Sequence, residues 1–253
     1  MELAIETTRL TRTFGDLLAV DGLELTVEAG MFYGFLGPNG AGKSTTIKML
    51  TGLLAPSQGT MKVLGYDITD TQQALQAKRR IGVVPEDLAL FDNLTAREYL
   101  TFVGRIFGLE PEIIRQRCDE LLDMMTLAGE EKKLAVEFSH GMKKKLTLAA
   151  ALMPNPDLLF LDEPFEGVDA VSSRTLRDVL QRLTERGATV FLTSHVLEIV
   201  ERLCTDVGII AAGKLVYQAS MAQIRTQGSL EERFLEAVGS DRLERQSLSW
   251  LEQ

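Results

Sequence analysis

Apolar and polar positions alternate over residues 5–14 and 23–27, the period of a half-buried strand. Ala29-Gly30 then supplies a turn before an aromatic-rich run, Phe32–Leu36, fit for a buried strand. A helix is predicted over 44–53, short strands over 62–65 and 80–84, and a helix over Thr71–Lys78 between those strands. From 95 to 108 and from 111 to 127 the apolar residues recur every three and four positions, the stripe of an amphipathic helix, so the middle third reads as a helical lobe. Beyond it the pattern predicts a helix at 142–152, an apolar strand at 158–161, a helix near 171–186 and a strand at 189–193. Strands alternating with helices in this way imply a parallel sheet covered on both faces. Residues 207–210 and 214–217 flank Ala211-Ala-Gly213 as a hairpin, and Leu230–Val238 reads as a helix. No internal repeat, low-complexity segment or long linker interrupts the pattern, and the last dozen residues are polar and expected to fray.

The chain has 253 residues, 45% of them hydrophobic, enough for one substantial core and a single compact unit with lobes. A net charge of −9 opposes a large nucleic-acid footprint, because phosphate backbones are bound mainly by Lys and Arg, and no nucleic-acid partner is expected. Local basic patches remain open. Cys118 and Cys204 have no metal-ligand spacing and read as buried thiols in a reducing compartment. The longest apolar stretches, 146–153 and 158–161, fall far short of the roughly 20 residues that span a bilayer. The first residues lack the basic start and apolar core of a secretory signal, so a cytoplasmic location is expected.

Residues Gly37-Pro38-Asn39-Gly40-Ala41-Gly42-Lys43-Ser44 fit G-x-x-x-x-G-K-[ST] in full, after a predicted strand and opening a predicted helix. Small residues let backbone N–H groups converge on phosphate oxygens, and the helix N-terminus adds partial positive charge. Lys43 would reach the terminal phosphates, Ser44 would ligate Mg²⁺, and Thr45 offers a further hydroxyl. The alternatives are a glycine turn that merely starts a helix, or another phosphate-loop enzyme such as a small-molecule kinase.

Two carboxylates, Asp162 and Glu163, end the apolar strand at 158–161, the usual ligand crevice of an open α/β sheet. Asp162 would hold hydrated Mg²⁺, and Glu163 would orient or deprotonate an attacking water. Taken alone, the pair could be two surface acids at a strand end.

With Phe138-Ser139-His140-Gly141-Met142 these motifs resemble the ABC ATPase family over nearly the whole chain. The resemblance implies an α/β phosphate-loop NTPase core with a parallel sheet, an antiparallel β subdomain and an α-helical subdomain. It places an ABC ATPase domain over 1–238, with the helical lobe at about 90–153 within it, and a polar tail over 239–253. The five-residue segment stands where the family carries Leu-Ser-Gly-Gly-Gln; Ser139 and Gly141 match, and His140 and Met142 depart from it. In the family this segment binds the γ-phosphate held by another subunit, so two ATP would be shared across a head-to-tail dimer. Ser139 could equally be a plain helix N-cap. Lys143-Lys144-Lys145 is expected on a solvated face, with a partner contact as the alternative.

The remaining positions are carried over one at a time. Phe14 matches the aromatic that stacks on adenine, against the alternative of a core residue. Asp169 matches the acid of the loop at the dimer seam, and His195 the switch histidine that contacts the γ-phosphate. Glu86 stands in place of a glutamine that touches Mg²⁺ and senses the membrane partner; a carboxylate can ligate the ion too but adds negative charge beside a triphosphate. It could instead point at the partner and never reach the metal.

The resemblance thus implies an Mg²⁺-dependent ATPase, peripheral on the inner face of the cell membrane, driving separate permease subunits as a homodimer or heterodimer. Residues 91–108 are the expected docking surface. The Ser-His-Gly-Met-Lys segment and the closing Leu230-Glu-Glu-Arg-Phe-Leu-Glu236 look like the branch that powers ABC-2-type exporters of drugs, lipids or glycans. The competing readings are a soluble ABC ATPase acting on ribosomes or DNA, which would carry a second cassette or long coiled-coil insertions, and a binding-only regulatory cassette, against which Lys43, Asp162, Glu163 and His195 all argue.

Overall fold

The computed structural model describes residues 2–239. Three strands open the chain: β1 (Leu3–Phe14), β2 (Leu17–Leu23) and β3 (Thr26–Glu28). After β4 (Phe32–Leu36) and α1 (Lys43–Leu50) come β5 (Gln58–Val63), β6 (Tyr66–Asp67), α2 (Thr71–Lys78) and β7 (Ile81–Val84). The helices α3 (Ala96–Ile106), α4 (Pro111–Met124) and α5 (His140–Leu152) follow. The last third alternates: β8 (Leu158–Asp162), α6 (Ala170–Glu185), β9 (Thr189–Ser194), α7 (Leu197–Leu203), β10 (Asp206–Ala211), β11 (Lys214–Ser220), α8 (Met221–Gln227) and α9 (Leu230–Val238).

Two sheets result. The first is antiparallel, in the order β2-β1-β5-β6 with β3 on β1. The second runs β11-β10-β4-β9-β8-β7; all its pairings are parallel except the β10–β11 hairpin. Because side chains alternate along a strand, β4, β8 and β9 feed two cores. Tyr33, Phe35, Phe160 and Phe191 pack toward the antiparallel sheet and α1. Phe32, Leu36, Leu159, Leu161, Val190 and Leu192 pack on the other side, in the core that the later helices share. The expected parallel sheet, antiparallel β part and helical part are all present.

The differences from the sequence reading have local causes. Residues 23–27 do not form one strand: β2 ends at Leu23 and β3 starts at Thr26, both pairing with β1 at different heights. The strand expected over 62–65 starts earlier, at Gln58, and stops at Val63, because Leu64 and Gly65 both take positive φ and turn the chain into β6. The helices α7 and α8 are seven residues each, too short to show a period. The tip of the β10–β11 hairpin is Ala212-Gly213, both at positive φ, the turn that matches strand twist. Gly239, in the left-handed conformation, ends α9; Met1 and residues 240–253 of the expected polar tail lie outside the described residues.

Helix α5 lies so close to β7 that a Cβ on Gly82 would sit 2.5 Å from the carbonyl oxygen of Ala151. Backbone cannot retreat as a flexible side chain would. Gly82→Ala is expected to lower the unfolding free energy by about 1–3 kcal/mol, read by urea denaturation; unchanged stability would show that α5 can slide off the sheet without loss.

Candidate active site

Parallel register places three chain segments at one level. Leu36 of β4 pairs with Ser194 of β9, and Asp162 of β8 pairs with Thr193 of β9. The loop 37–42, Glu163 and His195 therefore all leave the sheet from the carboxyl ends of adjacent strands, where open α/β sheets hold ligands. The loop is pressed between neighbours. A Cβ on Gly37 would lie 2.4 Å from the Ile210 carbonyl oxygen, and one on Gly42, at φ +107°, would lie 2.5 Å from that of Ala19. Glycine alone satisfies both the clearance and the left-handed backbone. Lys43, buried at the first turn of α1, donates from Nζ to Gly37 O (2.8 Å) and Pro38 O (3.3 Å).

Asp162 and Glu163 are both buried. Thr193, inside the apolar run of β9, organises them: its Oγ1 donates to Asp162 Oδ1 at 2.6 Å and accepts the Glu163 N–H at 3.1 Å. Glu163 has φ +47°, a left-handed conformation that costs a non-glycine residue about 1–3 kcal/mol. The turn aims its carboxylate back across the loop. Oε1 lies 3.4 Å from Lys43 Nζ, an ion-pair distance without a hydrogen bond, and Oε2 lies 3.1 Å from His195 Nδ1. Beyond β7, Glu86 Oε2 accepts from Ser44 Oγ at 3.4 Å, so Glu86 faces the phosphate loop rather than turning away from it.

These groups line an open cleft of about 580 Å³. Residues 39–45 line it with Glu86, Glu163 and His195, and Phe14, Leu17 and Leu18 add an apolar part to the lining. Phe14 is 45% exposed and is not a core residue; the Arg12 guanidinium covers one face of its ring at 4.5 Å. Leu17, Leu18, Glu166 and the Ala212-Gly213 hairpin tip also line the cleft, and sequence reasoning missed them. The exposed pair Leu17-Leu18, just after a glycine turn, was the available signal; the hairpin tip was legible as a turn but not as a neighbour of the phosphate loop.

Ser139, Gly141 and Asp169 gather elsewhere, outside the cleft lining. Ser139 caps α5, its Oγ accepting from the Met142 N–H at 3.3 Å. Asp169 caps α6, accepting from the Val171 and Ser172 N–H groups at 3.0 and 2.9 Å, and hydrogen bonding with Ser172 holds its carboxyl below the usual range. The two helix starts touch: a Cβ on Gly141 would be 3.3 Å from Asp169 Oδ2, and one on Gly167 would be 3.3 Å from the His140 ring. One chain thus presents two separate polar groupings, each at helix N-termini that favour anions.

The lysine run corrects the sequence reading. Lys144 and Lys145 are only 4% and 6% exposed, not on a solvated face. Lys144 Nζ donates to the carbonyl oxygens of Glu163 (2.9 Å) and Glu166, and Lys145 Nζ donates to Thr126 Oγ1 (2.9 Å). Burial lowers the Lys144 pKa, while the charges of Glu166, Glu163 and Glu86 oppose that shift. Only Lys143 keeps a surface partner, Asp92 at 4.0 Å. Backbone carbonyls turned toward a helix have no sequence signal, so a Lys-Lys-Lys run reads as solvated when two of its ammonium groups are not.

A glycine loop cradling a buried lysine, beside carboxylates at parallel strand ends, defines a phosphate-loop nucleoside triphosphatase. The model of the ABC transporter family matches residues 20–166. Among its relatives, the daunorubicin/doxorubicin resistance ATP-binding protein DrrA of Streptomyces peucetius is 39% identical over 88% of this chain and 67% of its own length. The bacitracin transport ATP-binding protein BcrA of Bacillus licheniformis is 39% identical over 95% of this chain and 76% of its own. A solved ATP-binding subunit of an ABC transporter superposes with a TM-score of 0.85 at 29% identity, over 92% of this chain and 99% of that one. The chain belongs to the ABC transporter family, as one of its ATP-hydrolysing cassettes.

Thr193→Val keeps the shape of the side chain but strips Asp162 Oδ1 and the Glu163 N–H of a shared buried partner. The unfolding free energy is expected to fall by about 1–3 kcal/mol, and a urea midpoint equal to that of the parent would mean that Thr193 does not organise the pair.

Proposed function

We propose that this cassette is the motor of an exporter, pairing with a second cassette around two ATP and driving a separate membrane permease from the inner face of the membrane. One observation carries the reading: Lys43, Glu163 and His195 converge in one cleft, while Ser139, Gly141 and Asp169 gather outside it. Each chain then offers a cis half-site and a trans half-site, which a head-to-tail pair brings together. The partner is a second copy or a related cassette. Among the described residues no helix is long and apolar enough to cross a membrane, which fits a separate permease. The permease docks on the helical lobe, where Phe91, Phe102 and Ile106 are exposed. Residues 1–238 act as one ATPase domain, with the lobe at about 90–153 inside it. The drug-resistance and bacitracin-transport names of the relatives support export.

In the cleft, backbone N–H groups of residues 37–45 and the Lys43 ammonium bind the phosphates, and Phe14 stacks on adenine with the ring face that Arg12 leaves open. Among the described residues no cluster of three or more His, Cys, Asp or Glu side chains holds a metal by itself. Ser44, Glu86 and Asp162 instead supply a hydroxyl and two carboxylates, an all-oxygen set that fits Mg²⁺ completed by phosphate oxygens and water. Held there, the ion would offset phosphate charge. Glu163 takes or orients the proton of the attacking water, and His195, beside its carboxylate, contacts the γ-phosphate. Ser139 and Gly141, at the start of α5, meet the γ-phosphate held by the other cassette, with Asp169 at the seam.

Glu163→Gln is expected to lower ATP turnover by about 10²- to 10⁴-fold and to trap an ATP-bound dimer on size exclusion; parent-like turnover removes Glu163 from this role. Glu86→Gln is expected to shift the Mg²⁺ concentration for half-maximal turnover, and an unmoved titration would place Glu86 outside the metal shell. Affinity purification of the chain from detergent-solubilised membranes is expected to bring a polytopic membrane protein; ribosomal or DNA-repair proteins in its place would overturn the motor reading.

A further inference from the structure

Glu163 stands in a left-handed backbone conformation at φ +47°, and two buried groups hold it there from opposite sides. Thr193 Oγ1 takes its N–H at 3.1 Å, and Lys144 Nζ donates to its carbonyl at 2.9 Å. The Glu166 N–H closes the turn that follows β8 on the Glu163 carbonyl at 3.2 Å, and the same ammonium also donates to the Glu166 carbonyl, so one side chain clamps both ends of that turn. Lys144 does not line the cleft, and the roles assigned to the cleft residues leave it without a task. Its helix has one. α5 begins at His140, and along its first turns it meets the turn and the loop after it at three places. Lys144 bonds the Glu163 and Glu166 carbonyls, the His140 ring lies against Gly167, and Gly141 lies against Asp169.

We propose that Lys144 is a positioning residue for hydrolysis: by binding the carbonyls of Glu163 and Glu166 it locks the strained turn that aims the Glu163 carboxylate, and it ties that aim to the position of α5. The ammonium is suited to this task because it has three donors on a flexible stem, enough to serve two carbonyls at once. A side chain acting only as filler would need no donors.

This inference rests on the assignment of Glu163 as the base, and the test separates the two. Steady-state Mg-ATP hydrolysis by the full chain gives kcat and KM for the parent, Lys144→Met, Lys144→Gln, Glu163→Gln and the Lys144→Met/Glu163→Gln double variant, with thermal unfolding in parallel. Lys144→Met removes every donor and is expected to lower kcat roughly 10- to 100-fold at an unchanged KM, the effect of a misaimed catalytic group. Lys144→Gln is one bond shorter and reaches one carbonyl at a time; kcat is expected to fall about fivefold, again at constant KM, and this variant carries the test if the Met form does not fold. In the Glu163→Gln background, Lys144→Met is expected to cost less than about threefold, because a positioner has nothing left to aim. Parent-like kcat in Lys144→Gln or Lys144→Met, a loss that falls on KM, or an undiminished loss in the Glu163→Gln background overturns the proposal. Parent-like turnover of Glu163→Gln overturns the assignment of the base itself, and a Lys144 result alone leaves that assignment standing.

Discussion

The in-register parallel pairing of β4, β9 and β8 is the constraint on which the site depends. Leu36 opposite Ser194 and Asp162 opposite Thr193 bring a glycine loop, two carboxylates and a histidine to one edge of a sheet, although they come from distant parts of the chain. Hydrogen-bonded strands cannot slip by one residue without turning every side chain to the wrong face. The two cores enforce this from both sides: the aromatic face of Tyr33, Phe35, Phe160 and Phe191 and the aliphatic face of Leu36, Leu161 and Leu192 cannot exchange places. Register thus converts burial into the alignment of reactive groups.

Charge is the second organising influence. The cleft gathers Glu86, Glu163 and Glu166, with the buried Asp162 adjoining Glu163 in the chain, where a triphosphate would add further negative charge. Lys43, paired with the Glu163 carboxylate, and Lys144, bonded to the Glu163 carbonyl, are buried cations set against them. The glutamate at position 86 makes that balance tighter than a glutamine would. It also gives the buried lysine behind the Glu163 turn an electrostatic partner beyond the two carbonyls it serves.

Much of this was legible from sequence because it rests on local signals. The phosphate loop reads directly from glycine spacing, β4 and α2 run over the predicted residues, and α9 carries its own capping box in Ser229 and Glu232. What escaped depends on long-range backbone placement. Lys144 and Lys145 were misread because their partners are a carbonyl pair and a hydroxyl that composition does not announce. The left-handed turn at Glu163 was invisible for a related reason: the residue type argues against that conformation, and bonds from Thr193, Lys144 and the Glu166 N–H, none of them announced by the sequence, sustain it. The split between β2 and β3 escaped because buried and exposed positions alternate without a break over residues 23–27, across the gap between two strands that meet β1 at different heights.

The clearance at Gly42 reaches beyond the site. Its Cα faces the carbonyl of Ala19, while Gly213 of the hairpin tip abuts the same carbonyl and the backbone of Val20. The glycine loop, the antiparallel sheet and the sheet-edge hairpin are therefore keyed to one another through one short stretch of β2. Such a cassette is not modular at this end: a chimera that borrows its antiparallel sheet from a relative must also inherit the height of that strand, or its phosphate loop will be displaced before any nucleotide arrives.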